Sequence, residues 1–490
     1  MQILNALIVI LVPLIFGLLL LALILRRRAD QFYFWEKLAL AFPIGLGLMV
    51  IIMFILPFVG IPLTFLSIVG TLAVISILIG IYLFKNKIFC VNPNEIKNSL
   101  DFDHENMAWW EYGLVILLIL KVAYVYFASI VKPLVDIDAL KYYSIVAKGI
   151  FYKNTLNTPY LSNFMADPKP LFPHLSQGWA FIGLGTINDA LFKIIFPTLF
   201  LCLMVIFYAV LRRYYFRKPS LIFTFLLSTL PFLVLHVATA YADFTMSFYY
   251  GVATLYLFLF IKEFNLSEND KSFPYLFISY VLLVFAVWTK RSGIVLSGVN
   301  TFVLATYLIT NKNKIVKIDL IKIISIFIVF IVAIFPMITY AQTEVILRVF
   351  KQLIGISETA PTIDSANNLL PANKFNIITS IFFRKLFYYA DWHLLWGLFV
   401  ISLILFYKNT FRRPLVLLLA IISLNILIVL VQFGTKEMFQ WLIDGTLFDR
   451  LMIPYVIVIL YFCAEAIIPE WKGNPSAPAA QPSTKSKKGS

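Results

Sequence analysis

Long uninterrupted runs of hydrophobic residues dominate the chain. Most of them are close to the roughly 20 residues that an α-helix needs to cross the hydrocarbon core of a bilayer. Because the runs are continuous rather than alternating, they favour helices over the strands of a membrane barrel. Read by hydropathy, the pattern predicts an all-α polytopic membrane protein with about 13 spans. These spans are predicted near residues 3–25, 36–59, 62–84, 112–131, 190–211, 220–236, 245–262, 275–289, 292–310, 318–340, 387–407, 414–432 and 451–468.

Lysines and arginines are concentrated in every second segment between the runs. Such an alternation marks the cytoplasmic loops of membrane proteins. No basic residue precedes the first run, and Arg26-Arg27-Arg28 follows it. That run is therefore predicted to be a span rather than a cleavable signal peptide, with the N-terminus outside and the C-terminus in the cytoplasm. The loops predicted to lie outside are 132–189, 237–244, 290–291, 341–386 and 433–450.

Composition agrees with a membrane protein and excludes several other classes. Of the 490 residues, 61% are hydrophobic and 13% are charged. The net charge of +15 is explained by the basic loops, so we expect no nucleic-acid partner. Three scattered cysteines indicate neither a disulfide framework nor a metal cluster. We find no glycine-rich loop for a nucleotide phosphate, which disfavours a nucleotide ligand.

The runs and loops also suggest an organisation into segments. Residues 1–111 would form N-terminal spans and a cytoplasmic loop, and residues 112–340 a central transmembrane module. The outside loop 341–386 separates this module from C-terminal spans in 387–468. Residues 469–490 are rich in Pro, Ser, Ala and Lys, which predicts a disordered cytoplasmic tail.

Two carboxylates, Asp136 and Asp138, follow the fourth run at the start of the first long outside loop. Ionisable groups beside a membrane span are costly and often functional. The residues after them have the spacing of an amphipathic helix that would lie on the outer membrane surface. One face of it holds Tyr143, Val146, Ala147 and Ile150, and another holds Lys141, Ser144 and Lys148. Asp138 stands where an N-cap is expected, and this structural role is compatible with a functional one.

Further charged residues fall in predicted outside segments, each with two interpretations. Asp243 is either a second acidic site or the N-cap of the next span. Lys290, Arg291 and Arg450 are cations on the side that membrane proteins usually leave without them. They would bind a phosphate or extend towards lipid headgroups, and Asp449 is an alternative ion-pair partner for Arg450.

The remaining polar candidates carry weaker signals. His174, His236 and His393 are predicted near the outer face, where a lone histidine is usually a packing residue. Asp167 and Lys169 are either substrate contacts or ordinary loop charges. Together with Asp136, Asp138 and Asp243, the histidines are candidate metal ligands, although no spacing such as His-x-x-x-His appears.

Five sequence elements resemble the GT-C superfamily of membrane glycosyltransferases, which includes protein mannosyltransferases and aminoarabinose transferases. They occur in the expected order, lie in predicted outside segments and cover roughly residues 110 to 465, and they are specific to the superfamily rather than to one member. The elements are Asp136-Ile-Asp138-Ala-Leu-Lys-Tyr-Tyr143, Asp167-Pro-Lys-Pro-Leu-Phe-Pro-His174, Ala240-Tyr-Ala-Asp243, Trp288-Thr-Lys290-Arg291-Ser-Gly293 and Phe448-Asp449-Arg450-Leu-Met-Ile-Pro454.

The resemblance implies inverting transfer of a hexose or pentose from a polyprenyl phosphate to a protein, lipid or glycan acceptor. The reaction would take place on the outer face of a membrane, with the bacterial inner membrane favoured. It implies Asp136 as the catalytic base, Asp138 as its helper and Asp243 as a second acidic site. Donor phosphate would bind Lys290, Arg291 and Arg450. Candidate substrate contacts are Tyr143, Asp167, Lys169, His174, His236 and His393.

The resemblance leaves a divalent metal, Mg²⁺ or Mn²⁺, open as a cofactor held by Asp136, Asp138 and Asp243. One rival function is transport or flipping of a lipid-linked glycan, and another is a non-catalytic membrane scaffold. Within glycosyl transfer, an O-antigen polymerase or ligase is a further alternative. A transporter is expected to carry its charges near the bilayer midplane, often in broken and repeated helices. The main carboxylates of this chain are instead predicted at the ends of spans.

Overall fold

The computed structural model describes residues 2–88, 107–156, 169–266, 272–312, 317–353 and 371–470. Within these ranges the chain forms helices joined by turns and short irregular segments, and it contains no β-strand. The all-α class is therefore confirmed for the described residues. Asp167 and the predicted tail from residue 471 onward lie outside them.

Nineteen α-helices, several of them short, make up the described residues. They are α1 Gln2–Leu25, α2 Phe34–Ile55, α3 Phe65–Lys85, α4 Trp109–Val131, α5 Ile145–Lys153, α6 Phe172–Leu184, α7 Ile195–Arg212, α8 Arg217–Thr229, α9 Pro231–Ala238, α10 Ala242–Leu266, α11 Phe273–Thr289, α12 Ser292–Thr310, α13 Lys317–Leu353, α14 Pro371–Phe387, α15 Leu395–Leu405, α16 Tyr407–Thr410, α17 Leu415–Phe433, α18 Lys436–Ile443 and α19 Phe448–Ile467. Short 3₁₀ helices cover Arg26–Gln31, Leu56–Val59, Leu191–Ile194, Ala390–Trp392 and Ile468–Glu470, and a π-helix covers Ala139–Ser144.

Ten helices in the described ranges are long and apolar enough to cross a membrane. The helices α8 and α9 add an eleventh if this pair, which is bent by 60°, counts as one span. The bend lies at Leu230, whose extended backbone is what a residue before a proline prefers. Two further predicted spans correspond to short apolar helices, α11 and α15. Every predicted span overlaps a helix, but the expected count of about 13 is reached only if these three elements also cross.

Two of the predicted outside loops contain more helix than expected. The helix α13 continues to Leu353, and α14 covers residues 371–387, so both ends of the predicted loop 341–386 are helical. The helix α18 lies within the predicted loop 433–450. These segments are too polar or too short to be read as spans, which is why hydropathy alone classed them as loops.

The surface helix predicted after Asp138 is present as a π-helix followed by α5. The apolar face is buried as expected, at Tyr143, Val146, Ala147 and Ile150. Ser144 is also buried, although it was predicted on the polar face with Lys141 and Lys148. A π-helical turn holds more residues than an α-helical turn, so the faces of the two segments are out of phase.

The helix α10 occupies the centre of the bundle, and its apolar stretch is fully buried. Such a helix is apolar all round because every face meets another helix. Helices α3, α4 and α13 form the periphery, because only 17%, 11% and 22% of the residues in their apolar stretches are buried in protein. Their large apolar exposed faces are explained by contact with lipid.

Close packing of α1 on α2 depends on two glycines. A side-chain carbon at Gly17 would lie 1.8 Å from the carbonyl oxygen of Ala41, and one at Gly45 would lie 1.8 Å from that of Pro13. Small residues at such crossings allow membrane helices to approach closely. A larger residue at either position would therefore force the two helices apart.

The helices α10 and α19 run parallel and are joined by ion pairs at both ends. Asp243 binds Arg450 at one end, and Lys262 binds Glu465 at the other. The stretch of α10 from Asp243 to Lys262 is about 28 Å long at about 1.5 Å per residue. This length is close to the roughly 30 Å hydrocarbon thickness of a bilayer. We name these two ends of the bundle the Asp243 end and the Glu465 end.

Basic residues from several predicted cytoplasmic loops gather at the Glu465 end. Arg213 pairs with buried Glu36 at 2.5 Å, and Lys262 pairs with Glu465 at 3.0 Å. The hydroxyl of Tyr256 donates to the other oxygen of Glu36 at 2.6 Å. The partition of charge inferred from the loops therefore agrees with the three-dimensional arrangement of these residues.

Candidate functional site

Two carboxylates and two cations from distant parts of the chain meet at the Asp243 end. Arg450 Nη1 donates to Asp138 Oδ2 at 2.6 Å. Its Nε and Nη2 donate to Asp243 Oδ2 at 3.1 and 3.0 Å. Lys290 Nζ donates to Asp243 Oδ1 at 2.5 Å. We name Asp138, Asp243, Lys290 and Arg450 the Asp243 cluster. Its formal charges balance, which stabilises the buried carboxylate of Asp243.

The starts of three helices position the Asp243 cluster. Asp243 lies in the first turn of α10 and Arg450 in the first turn of α19. Lys290 has an extended backbone between α11 and α12. This connection requires Gly293, because a side-chain carbon there would lie 2.3 Å from the carbonyl oxygen of Ala286. The Thr-Lys-x-x-Gly pattern thus has a steric basis in the fold, since glycine lets the two helices meet closely.

Asp138 does not cap the helix that follows it. Its side chain makes no capping hydrogen bond, and its backbone is already helical. The carboxylate instead accepts from Arg450. The π-helix Ala139–Ser144 begins immediately after it. Such helices are rare in proteins but are often found at functional sites. The ion pair with Arg450 and the π-helix therefore both favour a functional role for Asp138.

Asp136 differs from its neighbour because it has no ion pair among the described residues. It is half-buried, and its backbone carbonyl accepts from the amide of Leu140 at 2.9 Å. It lies within electrostatic reach of Lys193 and Tyr241, which places it beside the Asp243 cluster. Asp136 is therefore the acidic residue of this region whose carboxylate is not already bound to a cation in the described structure.

Lys193 holds the two acidic segments together, and the sequence analysis did not identify it. Its side chain is buried, and its Nζ donates to the carbonyl oxygens of Lys132 at 2.6 Å and Ala238 at 3.3 Å. These carbonyls lie at the C-terminal ends of α4 and α9, where cations are favourable. The segments that continue from the two helices carry Asp136 and Asp243. A lysine inside an apolar run was the signal available in the sequence.

The turn before Asp243 is strained and is held by a second buried side chain. Ala240 has φ of 59°, a left-handed conformation that is unusual for a residue with a side chain. Gln177 is buried and donates from Nε2 to the carbonyl of Ala240 at 3.2 Å. Strained turns often persist at functional sites because the surrounding structure maintains them.

Aromatic rings flank the Asp243 cluster on two sides. The guanidinium of Arg450 lies 5.0 Å from the ring centre of Tyr241, which in turn lies 5.7 Å from that of His236. Tyr143 is buried and packs against His174 with ring centres 5.4 Å apart. Burial raises the pKa of Tyr143, and the nearby carboxylate of Asp243 raises it further, so Tyr143 keeps its proton.

His174 and His236 bring unpaired polar atoms into this region. Burial, with a contribution from the charge of Lys169, lowers the pKa of His174 to about 4, so the ring is neutral at pH 7. The ring of His174 lies close to the backbone carbonyls of Tyr142 and Pro170 but makes no hydrogen bond of good geometry with them. Nε2 of His236 has no hydrogen-bond partner among the described residues. Buried polar atoms are rarely left without partners. An ordered water molecule or a polar ligand at this site would supply a partner.

The other predicted site residues are not part of the Asp243 cluster. Lys169 lies at its edge, with Nζ 3.7 Å from the ring centre of Tyr142. Arg291 is half-buried at the start of α12, outside the ion pairs of the cluster. His393 is exposed and does not reach it. Asp449 pairs with Lys385 at 2.7 Å rather than with Arg450, as expected for adjacent residues on a helix.

The described residues do not form a metal site. No three His, Cys, Asp or Glu side chains in the described ranges are grouped so as to hold a metal ion. Arg450 lies between the carboxylates of Asp138 and Asp243, which a metal would have to bridge. This arrangement does not fit a divalent metal ion. Mg²⁺ or Mn²⁺ at Asp136, Asp138 and Asp243 therefore stays a prediction of the resemblance alone.

A narrow cleft extends from the Asp243 cluster into the bundle. The space inside it is only about 30 Å³, and Asp243, Lys290 and Arg450 line its charged side. Apolar side chains of α12 and α17, among them Leu296 and Val429, line the remainder. The cleft thus offers charge where the helices begin and a hydrocarbon surface further along the span.

We compared the chain with protein-family models, characterised proteins and solved structures, and none of these comparisons found a match.

Proposed function

We propose that this protein is an inverting glycosyltransferase of the GT-C type that uses a polyprenyl-phosphate-linked sugar. The observation that carries the proposal is the Asp243 cluster, which groups two of the predicted acidic residues and two of the predicted cations at one end of the spans. The lining of the cleft beside it, charged on one side and apolar further along, supports a donor that is part anion and part hydrocarbon. A lipid-linked donor of this kind needs an active site at the edge of the bilayer.

Donor phosphate would bind to the cations of the site. Lys290 and Arg450 are within hydrogen-bond distance of carboxylates, with Arg291 beside Lys290. The phosphate gains negative charge as the sugar–oxygen bond breaks, and preorganised cations stabilise that charge. Arg450 presents a planar fork of donors suited to phosphate oxygens. In the complex these cations would be shared between the donor phosphate and the carboxylates.

Asp136 would serve as the base. An acceptor hydroxyl attacks the anomeric carbon from the face opposite the phosphate, and its proton passes to the carboxylate of Asp136. A bond forms between the acceptor oxygen and the anomeric carbon while the bond to phosphate oxygen breaks. Because Asp138 and Asp243 bind Arg450, they would fix the cation and the acceptor rather than take the proton.

Sugar hydroxyls would bind in the region between the two histidines. The Nε2 atom of His236, which has no partner among the described residues, and the weakly bonded ring of His174 can accept or donate hydrogen bonds there. Tyr143 and Lys169 complete the polar wall on the His174 side. The proposal places the Asp243 end outside the cell membrane and the Glu465 end in the cytoplasm, with a bacterial inner membrane as the favoured location.

Transport or flipping of a lipid-linked glycan is the rival function. One feature favours it: buried polar side chains occur well inside the bundle. Asn425 Nδ2 donates to the hydroxyl of Tyr250 at 2.8 Å, and Asn300 Nδ2 donates to Thr254 at 2.9 Å. Polar groups inside a membrane often mark substrate paths. These residues are neutral, however, and the charged groups lie at the ends of the spans.

A donor panel separates the two functions. Purified protein in vesicles is offered polyprenyl phosphates that carry different hexoses and pentoses, with lipid, peptide and glycan acceptors. Glycosyl transfer with inversion and release of polyprenyl phosphate supports the enzyme. Movement of an intact donor across the vesicle membrane without any glycosidic product supports the transporter and contradicts the enzyme.

A further inference from the structure

A wide groove opens at the Glu465 end, away from the Asp243 cluster. Its walls come from the end of α1, the 3₁₀ helix Arg26–Gln31, the end of α3 and the first turns of α11 and α13. The 3₁₀ helix belongs to this end of the bundle because Arg213, the partner of Glu36, donates to the carbonyl of Gln31. The space inside it is about 1160 Å³, slightly above the upper end of about 1,000 Å³ for small-molecule pockets.

The chemistry of the groove changes with depth. Its deeper walls are apolar and include Leu23 and Ile24 of α1, Phe277 of α11 and Ile326 of α13. Its mouth is lined by Arg26, Arg28 and Lys322, with Asp30 as the acidic residue of the lining. The charged residues lie where the spans end, and the apolar ones lie inside the spans. Polarity is therefore distributed as in a membrane lipid, with the charge of the mouth suited to an anionic headgroup.

Two local features show that the mouth has a defined shape. Arg26 has φ of 48°, so a long side chain occupies a left-handed backbone conformation at the end of α1. Such conformations are uncommon for residues other than glycine, and they cluster at ligand sites. Across the groove, Lys322 Nζ lies 4.7 Å from the ring centre of Phe273 and 3.8 Å from Asp319. The lysine is thus held on the rim, next to an aromatic side chain.

We propose that this groove binds one anionic glycerophospholipid. The phosphate of the headgroup lies among Arg26, Arg28 and Lys322, and an acyl chain follows the apolar wall past Ile326. Basic pockets between the cytoplasmic ends of helices recognise anionic headgroups in this way. The site is separate from the Asp243 cluster and does not depend on the proposed glycosyl transfer.

The main alternative is that the cations only set the orientation of the protein, with bulk lipid of any kind in the groove. The two explanations differ in selectivity. Full-length protein is placed in nanodiscs of phosphatidylcholine and titrated with phosphatidylglycerol, and bound lipid is counted by native mass spectrometry. We expect saturable retention of one phosphatidylglycerol. Each cation contributes about fivefold in affinity, so the double variant Arg26→Gln with Lys322→Gln binds about 25-fold more weakly.

A matched control removes the same charge from the same end of the bundle. Lys408 and Arg412 are exposed and do not line the groove. They lie near the end of α19, because Asn409 between them donates to the carbonyl of Ala466. The variant Lys408→Gln with Arg412→Gln keeps wild-type retention. Ile326→Trp fills the apolar wall and expels the lipid without changing any charge.

Four outcomes contradict the lipid site. Equal retention of phosphatidylcholine and phosphatidylglycerol removes the headgroup selectivity. An equal loss in the groove variant and the Lys408/Arg412 control attributes the effect to net charge. Absence of any retained lipid, as expected if another part of the chain fills the groove, also contradicts the proposal. Competition by glycerol phosphate as strong as that by the lipid would show that the apolar wall plays no part.

Discussion

Replacing Arg450 by methionine is the sharpest test of the Asp243 cluster. The substitution keeps much of the side-chain volume but removes all three hydrogen bonds to Asp138 and Asp243 and the contact with Tyr241. Removing one partner of a buried ion pair costs roughly 3–5 kcal/mol. Asp243 keeps its bond to Lys290, and Asp138 is partly exposed, so we expect the lower limit, about 3 kcal/mol. That loss corresponds to a factor of about 150 in the folding equilibrium.

The loss can be measured by reversible unfolding in mixed micelles, with sodium dodecyl sulfate as denaturant and tryptophan fluorescence as the signal. Arg412→Met is the matched control, because Arg412 is exposed and its loss should change stability by less than about 0.5 kcal/mol. In a double-mutant cycle, Arg450→Met and Asp243→Asn should be less destabilising together than the sum of the single changes, by about 1–3 kcal/mol. Strict additivity, or an Arg450 variant as stable as the control, would refute the buried ion pairs.

Three further predictions concern positioning, protonation and orientation. Lys193→Met should lower the turnover of sugar transfer about 100-fold with a smaller change in donor KM, because it loosens both acidic segments. Lys148→Met, which removes a partly exposed ion pair with Asp189, is the control. Equal effects of the two substitutions would contradict the positioning role of Lys193. His174 has a folded pKa of about 4 against an ordinary 6.5, so its contribution to stability is fully present above pH 6.5. This contribution to the free energy of unfolding, about 3 kcal/mol, is lost as pH falls towards 4. A melting temperature that depends on pH in the same way in His174→Phe and in the wild type would disprove this. A membrane-impermeant maleimide should label Ile137→Cys but not Phe84→Cys in intact cells that express the protein without Cys90. Labelling of Phe84→Cys and not of Ile137→Cys would contradict the predicted orientation.

The positions of the spans could be predicted from the sequence because lipid imposes one solution on the backbone. Every peptide group inside the bilayer must be paired within its own segment, so a long apolar run becomes a helix. The predicted span 292–310 coincides with α12, Ser292–Thr310. The break at Leu230 was missed because hydropathy does not register geometry, although Pro231 was visible in the sequence.

The site could be predicted only in part, because its contacts depend on tertiary structure. Asp138 and Arg450 are 312 positions apart, and no local pattern specifies that they touch. Charge on the unexpected side of the topology was enough to select Arg450 and Lys290. Lys193 could not be recognised in the same way, because its partners are backbone carbonyls. Every residue has a carbonyl, so only the fold identifies which ones a lysine meets.

The proposed reaction rests on Asp136 as the group that accepts the proton of the acceptor. The most direct measurement compares sugar transfer by the wild type and Asp136→Asn from a donor that the panel identifies, together with donor binding by both proteins. We predict that the variant still binds donor and transfers sugar about 10²–10⁴-fold more slowly, as expected for loss of a general base. Wild-type transfer rates in Asp136→Asn, or no donor consumed by the wild-type protein across the panel, would contradict this function.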